Sequence, residues 1–352
     1  MSEGDTHDAA LASLTHSFGN LEVKDLLRKS KTYPMPSIDL VMEFDLLVNR
    51  MTKCNRKTTL AKEKNVVNVF GAPVVVIAKL WELMHEHDTI SNPKMAHKHL
   101  LWALIYGKQY PSLQTLASLV KMEGDRRRPD EKTLVKWIWI AMSALEKLNT
   151  FVILWENRKT NDKLNDCLAI VDCVDCTFQQ VRIPHPTIEG KMKINKALYS
   201  KKLNGPGLRY KVATSLLSNH IVWISGPFLP GEMNDLQIFE QELLYMLELL
   251  ERIEADDIYK SHAPEKVKCP GSAECIGNEE EYAKCAGAQG RCELGNAHIK
   301  DWRCLCCPFV GRGTIDEKMD KHRQLFYASC VVTQVSMEMG YKELWELPPD
   351  YD

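Results

Sequence analysis

The chain has 352 residues, 45% hydrophobic and 26% charged, which is enough apolar material for a sizeable core and enough length for two domains. Its formal net charge of −2 offers no bulk basic surplus of the kind phosphate-binding proteins usually carry, although a local basic face is compatible with a neutral total. The N-terminus lacks a basic start followed by an apolar core, and no run of about 18 apolar residues occurs, so neither a secretory signal nor a spanning helix is expected. Twelve cysteines then point to free thiols in a reducing compartment, and the chain reads as intracellular and soluble.

Residues 1–36 are polar, carry no sustained period and end in Tyr33-Pro34-Met35-Pro36, which predicts a mobile segment. A helical pattern opens after Ser37, and another covers 71–86, where Val74, Ile77, Leu80, Trp81 and Met84 recur at three- and four-residue steps. Three helices follow between Ala96 and Leu148. The first stops near Gly107, the second is short and capped by Ser112, and the third is capped by Asp130 and runs through Leu134, Ile138 and Leu145. Helix, turn, short helix, basic loop and amphipathic helix is the outline of a helix-turn-helix unit over 37–150; a plain helical bundle with a solvated basic loop fits the same pattern.

Near Leu168 the texture changes. Leu168–Asp175 reads as a buried strand and Thr177–Ile183 as a half-exposed one. Leu208–Leu217 and His220–Ser225 look like strands joined by a Ser218-Asn219 turn. A long helix is predicted over 235–251, a short strand over Arg252–Asp256 and a closing helix over 317–339. The order predicts an α/β or α+β fold with a mixed sheet and flanking helices over 160–345.

Acidic residues end the candidate strands. Two-metal phosphodiester chemistry needs three or four carboxylates converging from different elements, because hard Mg2+ or Mn2+ prefers oxygen donors. Asp175 closes the first strand, Asp235 precedes the long helix, Asp256 closes the short strand, and Glu293 lies in a segment expected to be helical. Each has a plainer reading: Asp235 or Asn234 as a helix cap, Asp256 and Asp257 as a solvated pair, Glu293 as an exposed helical residue. Asp172 competes with Asp175, and their odd offset puts them on opposite faces of a strand. The pattern does not choose between them.

In the second half, six motifs occur in a fixed order: Val174-Asp175-Cys176-Thr177, Gly205-Pro206-Gly207-Leu208-Arg209-Tyr210, Gly231 to Asp235, Ala255-Asp256-Asp257-Ile258-Tyr259, Arg291-Cys292-Glu293 to Asn296, and the closing helix from Lys321-His322 to Gln334. Together they resemble the catalytic domain of PIF/Harbinger-like DDE transposases over about 160–345. The resemblance implies an RNase H-like fold with Asp175, Asp256 and Glu293 as catalytic triad, and it selects Asp175 over Asp172. It adds Asp235 as a fourth ligand of Mg2+ or Mn2+. Lys300 would contact a DNA phosphate, as would Arg126, Arg127, Arg128, Lys132 and Lys136 of the helical half. It further implies DNA as substrate, nuclear residence, a possible oligomer and, in this family, a separate Myb-like DNA-binding partner. Departures include Cys176 and Ile258 where the family has glycine. Two rivals stand beside it. One is a structural zinc site drawn from Cys269, Cys275, Cys285, Cys292, Cys304, Cys306 and Cys307, whose intervals are irregular. The other is a catalytically silent DNA-binding or scaffold protein.

Overall fold

The computed structural model describes residues 33–52, 59–121, 127–159, 167–187, 189 and 191–344. The mobile segment expected over 1–36 therefore lies outside the described residues except for its last four, and so does Arg126. Of those four, Tyr33 is hydrogen-bonded to Glu338. The chain divides into two compact units, one of residues 1–148 with 331–342 and one of 149–330 with 343–352.

Among its described residues the only regular elements of the first unit are helices: α1 (Ile38–Thr52), α2 (Thr59–Phe70), α3 (Val74–Glu86), α4 (His97–Gln109), α5 (Leu113–Leu119) and α6 (Glu131–Lys147). The sequence pattern gives no notice of α2. The expected caps form: Ser112 Oγ accepts the Thr115 N–H at 3.2 Å, and Asp130 Oδ1 accepts the Thr133 N–H at 2.9 Å. α1 lies on α3, α2 on α4, and both α4 and α5 on α6. Phe44, Ile77, Leu80, Leu101, Leu104 and Leu134 are buried between them. Burying side chains of this size stabilises by about 1.5–3 kcal/mol each, before ordering costs. His99 stacks on Trp137 at 3.9 Å between α4 and α6, and burial lowers its pKa to about 4, so it serves as a neutral packing group.

The second unit is built on a mixed sheet. β1 (Cys167–Thr177) is central, and β5 (Gly205–Ser215) pairs antiparallel on one side of it. β6 (Ile221–Phe228) extends the sheet beyond β5, again antiparallel. On the other side β7 (Arg252–Glu254) runs parallel to β1, and β8 (Val267–Lys268) runs parallel to β7. The order across the sheet is thus β6-β5-β1-β7-β8, with the short β4 (Tyr199–Ser200) sharing the outer edge of β5. A separate ribbon joins β2 (Arg182–Pro184) to β3 (Met192–Ile194).

Three helices cover the sheet. α7 spans 235–246: it starts as α-helix over Asp235–Ile238, widens to a π turn over Phe239–Leu243 and tightens to a 3₁₀ turn over Leu244–Met246. α8 is Glu279–Lys300 and α9 is Ile315–Glu338. Alternation along β1 assigns the faces. Ala169 and Val171 pack with Phe239 and Leu243 of α7, whereas Ile170 packs with Ala288 and Cys292 of α8. Tyr210 of β5 stacks on Phe326 of α9 at 3.8 Å.

Two predicted elements differ. The helix expected over 235–251 ends at Met246, because Glu251 turns inward to receive both Nε and Nη2 of the buried Arg158. The strand expected over Thr177–Ile183 does not form as such. β1 runs through Thr177, Phe178 makes an isolated bridge to Phe309, and β5 begins only at Gly205, so Arg182 and Ile183 pair instead with β3. Among the described residues no single helix is long and apolar enough to cross a membrane.

Candidate functional site

Register places the first charged group. Asp175 lies directly opposite Arg209 across the β1–β5 ladder, and Cys173 opposite Lys211, so all four side chains share one face of the sheet. Asp175 is 1% exposed. Arg209 binds it in a fork, Nε to Oδ1 at 2.7 Å and Nη2 to Oδ2 at 3.0 Å, and the Ser200 hydroxyl of β4 donates to Oδ2. Burial alone would raise the Asp175 pKa; the bonds from Arg209 and Ser200 outweigh it and hold the carboxyl below the usual range.

The same guanidinium reaches a second carboxylate, donating from Nη1 to Asp235 Oδ1 at 2.5 Å. Asn234, not Asp235, caps α7: its side chain accepts the Gln237 N–H, and the Gln237 side chain returns the bond. That division of labour frees the Asp235 carboxylate for Arg209. Gly226 sits beside this clamp in a β6 bulge between the Arg209 and Lys211 positions, with φ 123° and no room for a Cβ against the Arg209 carbonyl at 2.9 Å.

Below the clamp, buried Lys211 donates to the Tyr259 hydroxyl and to the Asp235 carbonyl at 3.2 Å. Its ammonium also lies 4.4 Å from the centre of the Tyr259 ring. Burial lowers its pKa. Tyr259 belongs to the 3₁₀ turn Asp257–His262 that Asp256 caps, so Lys211 ties the Asp256 turn and the start of α7 to β5. Asp256 itself is exposed and accepts the Asp257 N–H at 2.7 Å; Asp257 accepts the Gly271 N–H and braces the following loop.

The opposite face carries Asp172. Burial raises its pKa against the opposing pull of Lys202, and Asn296 of α8 donates to its Oδ2 at 2.7 Å. Asn296 is three residues beyond Glu293, which is exposed on the same helix. α8 is therefore fastened to β1 through Asp172. Lys300, the last residue of α8, is half-buried.

The structure thus brings Asp175 and Asp235 together through Arg209, and leaves Asp256 and Glu293 open to solvent. Among the described residues no three His, Cys, Asp or Glu side chains gather as a metal-ligand group. The donor chemistry of four carboxylates suits Mg2+ or Mn2+. The arrangement does not, because Arg209 and Ser200 already engage both oxygens of Asp175. Cys275 and Cys285 approach to 3.5 Å between sulfurs, and Cys269, Cys292 and Cys304 are each buried elsewhere as free thiols. In the helical unit Arg127, Arg128, Lys132 and Lys136 are exposed; Arg128 donates to Ser118 and Lys136 lies over the Trp137 ring.

Sequence reasoning named Arg209 and Asn296 within motifs without giving them a role, and did not single out Ser200 or Lys211. The available signal was a pair of cations two residues apart in the strand predicted over Leu208–Leu217, which places both on one face of it. The chain matches no protein-family model, no curated protein and no solved structure.

Proposed function

We propose that the chain is a divalent-metal-dependent DNA endonuclease of the transposase kind, its catalytic unit an RNase H-like fold. The observation that carries the reading is the strand order β6-β5-β1-β7-β8, an antiparallel meander extended by two parallel strands. This is the arrangement expected of an RNase H-like sheet. Asp175 lies near the end of β1, the strand beside β7, whose end leads to Asp256, while α8 with Glu293 packs on the face of β1 that carries Asp172.

In this reading Asp175, Asp235, Asp256 and Glu293 would hold Mg2+ or Mn2+, which would supply a water of lowered pKa and stabilise the leaving oxygen. The chain's own residues set the conditions for that. Asp256 and Glu293 face solvent, and Arg209 must release Asp175 and Asp235 before either can act as a ligand. Arg127, Arg128, Lys132 and Lys136 on a helix-turn-helix-like bundle, and Lys300 on α8, are the phosphate contacts in this reading. DNA substrate, nuclear residence and a Myb-like partner belong to the same proposal.

A second reading draws on the clamp itself. A guanidinium held between Asp175 and Asp235 is a complete structural ion triad, as a silent DNA-binding relative would retain it. Plasmid nicking separates the two. The nuclease reading expects Mn2+-dependent nicking by the full chain, lost in Asp175→Asn and in Glu293→Gln. Folded wild type that neither nicks nor gains thermal stability from Mn2+ would point to the silent reading or to a missing Myb-like partner, and repeating the assay with the partner added separates those two.

A further inference from the structure

The charge of this chain is unevenly spread. Between Arg182 and Lys202 there are six Lys or Arg residues and one acid, Glu189, in a chain whose net charge is −2. The segment folds as the β2–β3 ribbon and its return to the sheet. Arg182, Lys191, Lys193, Lys196 and Lys201 are all exposed, and none of them has a carboxylate partner among the described residues. Lys202 alone turns back, donating to the Cys173 carbonyl at 3.3 Å.

The ribbon is largely uncovered, with Ile183 of β2 alone half-buried in its two strands. Every residue of β3 is exposed, with Met192 and Ile194 53% and 52% accessible. A lone two-stranded hairpin gains little from its own packing, so an uncovered ribbon rich in unpaired cations fits a surface held ready for a polyanion. Its width also fits. Two strands about 4.8 Å apart with their side chains enter a B-form major groove about 12 Å wide.

Both ends of this segment are anchored at the candidate site. β1 leads into it two residues after Asp175, and it returns through Ser200, whose hydroxyl donates to the Asp175 carboxylate. We infer that the β2–β3 ribbon is a duplex-DNA contact, with Arg182, Lys191, Lys193, Lys196 and Lys201 on phosphates, holding the duplex beside Asp175. The inference rests on the nuclease reading for its substrate, but not for its test, which needs no catalysis.

The test is equilibrium binding of the full-length chain to a fluorescent duplex of about 25 base pairs of arbitrary sequence. It is run in EDTA, with wild type and K191A/K193A/K196A compared across about 50–200 mM salt. All three positions are exposed, and circular dichroism checks that the variant is folded. Losing three phosphate contacts should flatten the slope of log K against log salt by about 2–3, with affinity at the low-salt end down roughly tenfold or more. If wild type binds and the variant matches it in both slope and affinity, the ribbon is not the contact and the nuclease reading stands untouched. Tighter binding of single-stranded DNA or duplex RNA than of duplex DNA would overturn the assignment of the occupant. A wild-type chain that binds no duplex at all would sink the ribbon and the nuclease reading together.

Discussion

The two faces of β5 solve opposite problems with interleaved residues. Arg209, Tyr210 and Lys211 are consecutive in β5, yet the cations point to one face and the tyrosine to the other. The first face buries formal charge, and there every group is answered: Arg209 by Asp175 and Asp235, Lys211 by Tyr259 and the Asp235 carbonyl. The second buries a neutral stack in which Tyr210 lies on Phe326 and donates to or accepts from His322 Nδ1 at 2.7 Å, with Phe178 and Phe309 closing around the imidazole. Charge in the interior demands partners in a fixed geometry; an aromatic stack demands volume. The first kind of face can be rearranged by a ligand that offers better partners, and the second cannot.

Two truncations test the contrast at its strongest. Arg209→Met strands the buried Asp175 carboxylate and should cost about 3–5 kcal/mol at neutral pH by chemical denaturation. Much of that loss should return in the Arg209→Met/Asp175→Asn double variant, because the charge that needed an answer has gone. Phe326→Ala should cost a similar 3–5 kcal/mol, with no second-site charge change able to restore it.

Acid should then take the faces apart in sequence. Burial lowers the His322 pKa to about 3, below the free value of 6.5, so between those values the unfolded chain binds a proton that the folded one refuses. Stability contributed by the neutral imidazole is full above pH 6.5 and falls as pH drops, by about 2 kcal/mol at pH 5. Asp175 is depressed too, but from an ordinary carboxylate value, so its contribution persists until pH falls below about 4. Denaturation across pH 4–8 should show a decline to which His99, also lowered by burial, contributes, and which His322→Gln reduces by roughly half; an unchanged slope in that variant would refute the assignment.

Smaller effects mark the edges of the site. Asn296→Ala removes the link between α8 and Asp172 and should cost about 1–2 kcal/mol. Glu293→Gln, on an exposed position of the same helix, should stay within about 0.5 kcal/mol of wild type while removing any Mn2+-dependent nicking. A large stability loss in Glu293→Gln would show that the residue has a structural role.

Local chemistry made much of this legible. The apolar run before Asp175 announced β1, and Ser112 and Asp130 announced their helices through side chains that cap in the expected way. Three things were hidden, two because they depend on partners distant in sequence and one because a whole-chain sum averages it away. The period of 235–251 reads as one helix, yet Arg158, some ninety residues upstream, captures Glu251 and stops it short. Asp172 and Asp175 are equivalent by pattern until register shows that one answers Arg209 and the other Asn296. The basic ribbon was invisible to net charge because acidic residues elsewhere cancel it.

One consequence concerns the order of synthesis. The helical unit is discontinuous, completed only by residues 331–342. A ribosome adding about 5–20 residues per second needs roughly 10–40 s to travel from Leu148 to Val331. Throughout that interval the nascent helices lack their final segment, whereas the sheet of 167–268 can close as soon as it emerges. The half of the protein that is translated first is therefore still incomplete when the sheet of the second half can close.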